Sequence, residues 1–207
     1  MQSGAKQSNK LQATVQSKMA KSITWDPKFA PSYTPEEMLK EGVFEGKYIN
    51  NIKSIPASWK NLPKIVGPED QPNPKLNKYG VKSRQGLSVW KENGWIKSDP
   101  NGWFAWYINY FLGRRLGEED NWQINRWNSF VARHQGQINN DPKSKNEDHR
   151  LVQKQALLQW AWNWETKFTE EQKLKNAKRI AKAAGVSLDT IVAQESLQVL
   201  PMYMRWK

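Results

Sequence analysis

Residues 102–134 read GWFAWYINYFLGRRLGEEDNWQINRWNSFVARH, and this stretch decides the fold. Its first part is apolar all round, and a helix with that pattern is buried. At about 11 residues it is much shorter than the roughly 20 that cross a bilayer, so we predict a core helix. One face of it carries Trp103, Trp106, Tyr107 and Tyr110, and the other carries Phe104, Ile108, Phe111 and Leu112.

Further helices are predicted on both sides of this central helix. A second long helix starts just after Gly117, with acidic residues in its first turn, and runs to about Gln137. Thr34 caps a short helix that Gly42 ends, with Pro35 at its first position.

Three more helices are predicted towards the carboxyl end. One covers residues 149–164, the next is opened by Thr169 and closed by Gly185, and the last is capped by Ser187 and ends before Pro201. Alternation with a period of two is nowhere sustained. The predicted fold is therefore all-α: a compact Trp-rich bundle of about five main helices with an extended basic N-terminal arm.

Composition limits the classes of partner and site. The chain has 207 residues, a formal charge of +12 and 12 Trp, of which nine fall between Trp90 and Trp164. The charge predicts a polyanionic partner: nucleic acid, an anionic membrane face or an acidic protein surface. The absence of Cys excludes disulfides and thiolate metal sites. No apolar leader and no run of 18 apolar residues is present, so we predict no transmembrane segment and no secretion through a signal peptide.

The chain divides into three predicted segments. Residues 1–22 hold four Lys and no acid, a composition expected of a disordered or partner-bound basic tail. Residues 23–100 form an irregular, Pro-punctuated basic arm with short helices, and residues 101–207 form the helical body, which includes a helix-turn-helix-like unit at 169–199.

The basic arm is the first candidate contact surface, for a polyanion or for a protein partner. Residues 47–97 hold ten Lys or Arg against three acids. The alternative is a solvated loop that packs on its own domain through Trp59, Leu62 and Ile65. The candidate contact residues are Lys47, Lys53, Lys60, Lys64, Lys75, Lys78, Lys82 and Arg84.

A cluster of arginines is the second candidate site. Guanidinium groups can clamp a phosphate or a carboxylate. The alternative is pairing with Glu118, Glu119 and Asp120, or stacking on Trp rings. His134 as a general base would need an orienting carboxylate, which the sequence does not identify. The anion-clamp candidates are Arg114, Arg115, Arg126, Arg133 and His134.

Other chemistry receives little support from the sequence. Neither His lies in a zinc or di-iron spacing, and no Walker, dinucleotide-binding or nucleophile-elbow motif is present. We therefore predict no metal, no cofactor and no catalytic residue. The Trp residues can stack bases, as in single-strand binders, but their helical spacing favours a core.

Residues Arg179–Glu195 resemble the helix-turn-helix of lactose-repressor-like regulators. Gly185 falls at the turn, Ser187 at the start of the second helix and Thr190 behind it. Where that family places polar groove-facing side chains, this chain has Leu188, Asp189, Val192 and Ala193, which favours two helices joined by a tight turn over a DNA reader.

A broader resemblance covers roughly residues 33–164. The phrases EMLKEGVFEGKY, WFAWYINYFLGRR and RWNSFVARHQGQ look like uncharacterised Trp-rich proteins of large DNA viruses and phages, with relatives in algae and plants. This resemblance implies a viral setting and carries no catalytic residue.

The sequence favours a non-catalytic structural or interaction protein, most simply a minor capsid-associated component of a viral particle. It would bind protein partners in a larger assembly through its basic extended segments, in the virion or in the host cell interior. The alternative is a protein that binds DNA or RNA through the helix-turn-helix-like unit and the basic arm. A third possibility is an enzyme with an Arg/His site.

Overall fold

The computed structural model describes residues 23–83, 86–146 and 148–189. Seven α-helices and two strands of two residues each occur in this part of the chain, which confirms the prediction of a helix-dominated fold. The helices are α1 (Pro35–Glu41), α2 (Ala57–Lys60), α3 (Leu87–Glu92), α4 (Trp103–Phe111), α5 (Glu118–Asn139), α6 (Leu151–Gln159) and α7 (Glu170–Ala183). The strands are β1 (Thr24–Trp25) and β2 (Ser187–Leu188), and 3₁₀ turns cover Phe44–Gly46, Tyr48–Asn51, Pro74–Leu76 and Pro142–Lys145.

Helix α4 is buried on all sides, as its sequence predicts. All of its residues except Asn109 and Phe111 are buried. It begins after Gly102, whose φ of +80° favours glycine. A Cβ at that position would lie 3.0 Å from Cε3 of Trp90, so the glycine also lets the Trp90 ring pack against the start of α4.

The core also includes residues that precede α4 by many positions. Phe29 is fully buried, and its ring lies 5.4 Å from that of Trp25 and 5.1 Å from that of Tyr107. The Asp26 amide donates to the hydroxyl of Tyr110 at 3.2 Å. Buried residues on both sides of position 100 thus belong to one core.

Helix α5 starts directly after Gly117, as predicted. Its first turn is fixed by Asp120, whose Oδ1 accepts a hydrogen bond from Trp106 Nε1 at 2.8 Å. Farther along, Trp127 Nε1 donates to the carbonyl of Trp160 at 2.7 Å. These buried hydrogen bonds hold α5 against α4 and against the end of α6.

Helix α6 ends earlier than the sequence predicts, at Gln159. The reason lies in the carbonyl groups beyond it, which bond to other segments. Trp160 O accepts from Trp127, and Ala161 O accepts from Ser32 N at 2.7 Å. Ala161 itself has a φ of +57°, outside the helical region.

Helix α7 has the predicted limits but a different continuation. Thr169 Oγ1 accepts from Gln172 N at 3.3 Å, and Gly185 follows the helix with a φ of +70°. The next residues form no helical turn: Ser187 and Leu188 pair in parallel with Thr24 and Trp25. The prediction that Ser187 caps a helix is therefore wrong, and residues 190–199 of the helix-turn-helix-like unit lie outside the described residues.

A candidate ligand-binding groove

A groove of about 1110 Å³ lies beside α4, α5 and α6. Nine aromatic side chains and four cationic ones line it, and no Asp or Glu occurs among its described lining residues. The aromatic residues are Phe44, Tyr48, Trp90, Trp95, Trp103, Phe104, Trp122, Phe130 and Trp160, and the cationic ones are Lys47, Lys82, Arg126 and Arg133.

One face of α5 supplies much of this lining. Trp122, Arg126, Phe130 and Arg133 follow one another at steps of four, four and three residues, so they lie on one side of the helix. The opposite side buries Ile124, Trp127 and other residues in the core. The helix that packs the core thus also presents a charged aromatic stripe to the groove.

Arg126 is surrounded by tryptophan rings. Its guanidinium carbon lies 4.8 Å from the ring centre of Trp122, 5.4 Å from that of Trp160 and 5.5 Å from those of Trp90 and Trp95. Contacts of this length between a cation and the face of a Trp ring are attractive. They hold the guanidinium in place while it lines the groove.

The hydrogen bonds of Arg126 leave much of its charge uncompensated. Nη1 donates to Trp95 O at 3.3 Å and to Gln123 Oε1 at 3.4 Å, both long contacts. Nε and Nη2 donate to no acceptor among the described residues, nor does any described carboxylate pair with this arginine. Burial lowers the pKa of Arg126 to about 10, so the group remains charged at neutral pH.

Arg133 and His134 also line the groove. Arg133 is exposed, and its side chain has no hydrogen bond or ion pair with any residue in the described ranges. The His134 ring lies 4.2 Å from that of Phe130, and its Nδ1 is buried without a hydrogen-bond partner in the described part. Burial, followed by the neighbouring charge of Arg133, lowers the pKa of His134.

Arg114 and Arg115 lie elsewhere and serve the fold. Arg114 makes a two-pronged ion pair with Asp99, with Nη1 2.9 Å from Oδ1. Arg115 donates to Thr24 O from Nε at 2.9 Å and from Nη2 at 2.7 Å, and its guanidinium lies 3.7 Å from the ring centre of Tyr110. The structure thus brings together Arg126, Arg133 and His134 but places the other two clamp candidates outside the groove.

The lysines of the basic arm are also divided. Two line the groove, Lys47 and Lys82, and Lys47 also donates to the carbonyl of Asp70. Two others bond to Glu41, Lys64 to its carbonyl at 2.6 Å and Lys78 to its carboxylate at 2.8 Å. The side chains of Lys53, Lys60 and Lys75 are exposed and make no hydrogen bond or ion pair within the described part, and Arg84 lies outside it.

The helix-turn-helix candidates do not contribute to the groove. Gly185 and Ser187 are exposed and do not line it, and Thr190 lies outside the described residues. Trp95 and Trp122 line the groove although no motif in the sequence marks them as site residues. One signal for them was present, namely the four-residue spacing of Trp122 and Arg126 on a helix face.

Comparison with known proteins gives no relative: no family model, no curated protein and no solved structure matches this chain. The two resemblances noted in the sequence therefore stay predictions.

In the described ranges, no helix has the length and apolar character needed to cross a membrane. The same ranges contain no group of three or more His, Cys, Asp or Glu that could hold a metal ion.

Proposed function

We propose that this chain binds nucleic acid and that the groove is the binding surface. The observation that supports this most strongly is the charge of the groove, with four cationic side chains and no carboxylate among its described lining residues. Lysine and arginine that neutralise phosphates supply most of the affinity in such complexes. The sequence alone favours a structural protein, but the groove favours nucleic-acid binding.

Arg126 gives the proposal its chemical detail. A guanidinium that is partly removed from water without a carboxylate partner carries a desolvation cost. Its free Nε and Nη2 groups form the two-donor edge that fits two oxygens of one phosphate. A bound phosphate would supply the missing anion, and Arg133 and Lys82 line the same groove.

The first test measures the anisotropy of a labelled DNA single strand and of its duplex between about 50 and 200 mM salt. We expect the affinity of at least one of them to fall steeply with salt. The double substitution Arg133→Ser with Lys82→Ser removes two exposed groove cations that support no described contact. It should weaken binding about tenfold or more and reduce the log–log salt slope by about 1.4 for the single strand.

The matched control is Lys175→Ser with Lys178→Ser. Both lysines are exposed on α7 and lie outside the groove. This control removes two positive charges, as the groove variant does. This control should change affinity less than about threefold. A flat salt response for both DNA forms, or equal losses from the two double variants, would contradict the proposal.

A second candidate is a structural protein inside a viral particle that contacts protein partners through basic extended segments. The exposed Lys53, Lys60 and Lys75, which have no side-chain partner among the described residues, favour it. The sequence of residues 1–22 adds four more Lys without an acid. In this second candidate, the protein has a compact five-helix body with a basic N-terminal arm and is located in the virion or in the host cell.

Mass spectrometry of purified particles tests this second candidate. The chain should be present in particles at a fixed ratio to the major components and should stay bound after nuclease treatment. Its absence from purified particles would rule the candidate out.

A further inference from the structure

The aromatic lining of the groove is not explained by phosphate binding. Phosphates pair with cations, but the groove is lined by nine aromatic rings against four cations, and several of these rings are only half-buried. A ligand that fills the groove must therefore combine anions with flat apolar groups. Nucleotides have both, because each phosphate is followed by a base with two π-faces.

Trp95 and Trp122 are the rings best placed for such contacts. Both line the groove and are half-buried, and neither belongs to the hydrophobic core or to the side chains packed against it. Each lies beside a cation, since Arg126 is 5.5 Å from the Trp95 ring and 4.8 Å from the Trp122 ring. Lys97 Nζ is a second cation near Trp122, 5.2 Å from the centre of its ring.

This alternation of ring and cation matches one form of nucleic acid. In a duplex the bases are stacked on each other and present only their edges in the grooves, so their faces cannot reach protein rings. In a single strand the faces are free to stack on aromatic side chains while the phosphates meet the cations. We infer that the groove takes a single strand, with bases stacked on Trp95 and Trp122 and a phosphate at Arg126.

The size of the groove agrees with more than one nucleotide. Its volume of about 1110 Å³ exceeds the 300 to 1,000 Å³ that is usual for a pocket for one small molecule. The lining residues come from segments far apart in sequence, including Lys47, Lys82 and Arg133. Several cations along one groove suit a chain of phosphates better than a single anion.

This inference rests on the proposed function. A strand without bases tests the two separately, because it keeps the phosphates and cannot stack on the rings. We would compare the single strand, its duplex and an abasic strand with the same number of phosphates, at one salt concentration. The strand with bases should bind about tenfold or more tighter than both the abasic strand and the duplex. Equal affinity for the abasic strand would overturn the stacking, and salt-dependent binding of that strand would leave the proposed function intact.

Substitution of the two rings provides the second measurement. Trp122→Leu and Trp95→Leu should each weaken binding of the single strand about tenfold. Binding of the abasic strand should weaken much less, because three of the four Trp rings around Arg126 remain in each variant. Trp122→Phe, which keeps a ring, should retain affinity within about threefold. The melting temperatures should stay near that of the unaltered protein, because both rings lie outside the core. Equal losses for both strands, or no loss for either, would overturn the inference.

Discussion

The arginines of this protein differ in what compensates their charge. Arg114 has a carboxylate, Arg115 has backbone carbonyls and the Tyr110 ring, and Arg126 has four Trp rings. Arg133 has no side-chain partner in the described part. The first two are expected to act on stability and the last two on ligand binding.

Replacing Arg115 tests this division. Arg115→Met removes charged hydrogen bonds to Thr24 O and Tyr110 O, and should lower the free energy of unfolding by about 2–4 kcal/mol. Arg133→Met, on the exposed side of α5, should change it by less than about 0.5 kcal/mol. Urea denaturation measures both values. Similar losses for the two variants would contradict the division.

His134 gives the groove a pH dependence. Its pKa lies below the ordinary value of 6.5, so the ring is neutral at pH 7 and gains its charge only as the pH falls below that value. An added positive charge beside a polyanion strengthens binding. Affinity for the single strand should therefore rise as the pH is lowered below 6.5.

The two histidines of the chain provide a matched pair for this measurement. His134→Gln should remove the rise in affinity, because no charge then appears in the groove. His149→Gln should keep it, since His149 contacts Asp141 and does not line the groove. The same rise in both variants would place the titrating group elsewhere.

At the scale of the elements, Glu37 joins α1 to α7. Its carboxylate accepts from Thr34 N at 2.7 Å within the capping box of α1, and from Arg179 Nη1 at 2.9 Å. Burial alone would raise the pKa of Glu37, but the hydrogen bonds from Arg179 and Thr34 outweigh it and hold the pKa below its ordinary value. One side chain thus caps a helix and ties it to another.

A lowered carboxyl pKa stabilises the fold fully above the unfolded-state pKa, which for Glu37 is near the ordinary value of 4.5, and progressively less below it. Glu37→Gln should lower the melting temperature at pH 7 by about 2–4 °C, and the difference should be smaller at pH 3, because the stabilisation is lost as the pH falls through the lowered pKa of Glu37. Thermal unfolding at the two pH values measures this. Glu36→Gln, which loses only an exposed pair with Lys40, should have little effect at either pH.

Elements with local signals were predictable from the sequence. Thr34 and Gly117 mark the starts of α1 and α5, and Gly185 marks the end of α7, because caps and turns act on neighbouring residues. The end of α6 was not predictable, since its last carbonyls bond to Trp127 and Ser32, far away in the chain. The pairing of Ser187 with Thr24 was missed for the same reason.

At the scale of the whole molecule, one aromatic core joins distant segments. Phe29 is the clearest example, because its ring lies within 5.1 to 5.7 Å of the rings of Trp25, Trp106, Tyr107, Tyr110 and Trp127. The burial of α4 was predictable from its composition. The packing of Phe29 against α4 was not predictable, since no local sequence pattern connects Phe29 with that helix.

Phe29→Ala should therefore damage the whole fold. Removing a fully buried ring should lower the free energy of unfolding by about 3–5 kcal/mol, measured by urea denaturation. Leu112→Ala, at a residue that is 46% exposed, should cost less than about 1 kcal/mol. A small effect at Phe29 would show that the segment before α1 folds independently of the core.

Only part of the candidate site could be predicted from the sequence. The spacing of Arg126 and Arg133 identified a charged helix face, but Lys47 and Lys82 reach the same groove only through the tertiary fold. The sequence pattern does not distinguish Trp residues of the groove from Trp residues of the core. Only the packing separates Trp95 and Trp122, which stay outside the core, from buried rings such as Trp103.

The pairing of β1 with β2 also bears on how the chain folds. Thr24 and Asp189, which are 165 positions apart, share a hydrogen bond, and Asp189 N donates to Trp25 O at 2.8 Å. A contact between such distant residues closes a long loop, which costs conformational entropy. That cost falls only after much of the intervening chain is ordered. This clasp is therefore expected to form late in folding and to open first. Hydrogen exchange should find the Asp189 amide less protected than the amides of α4.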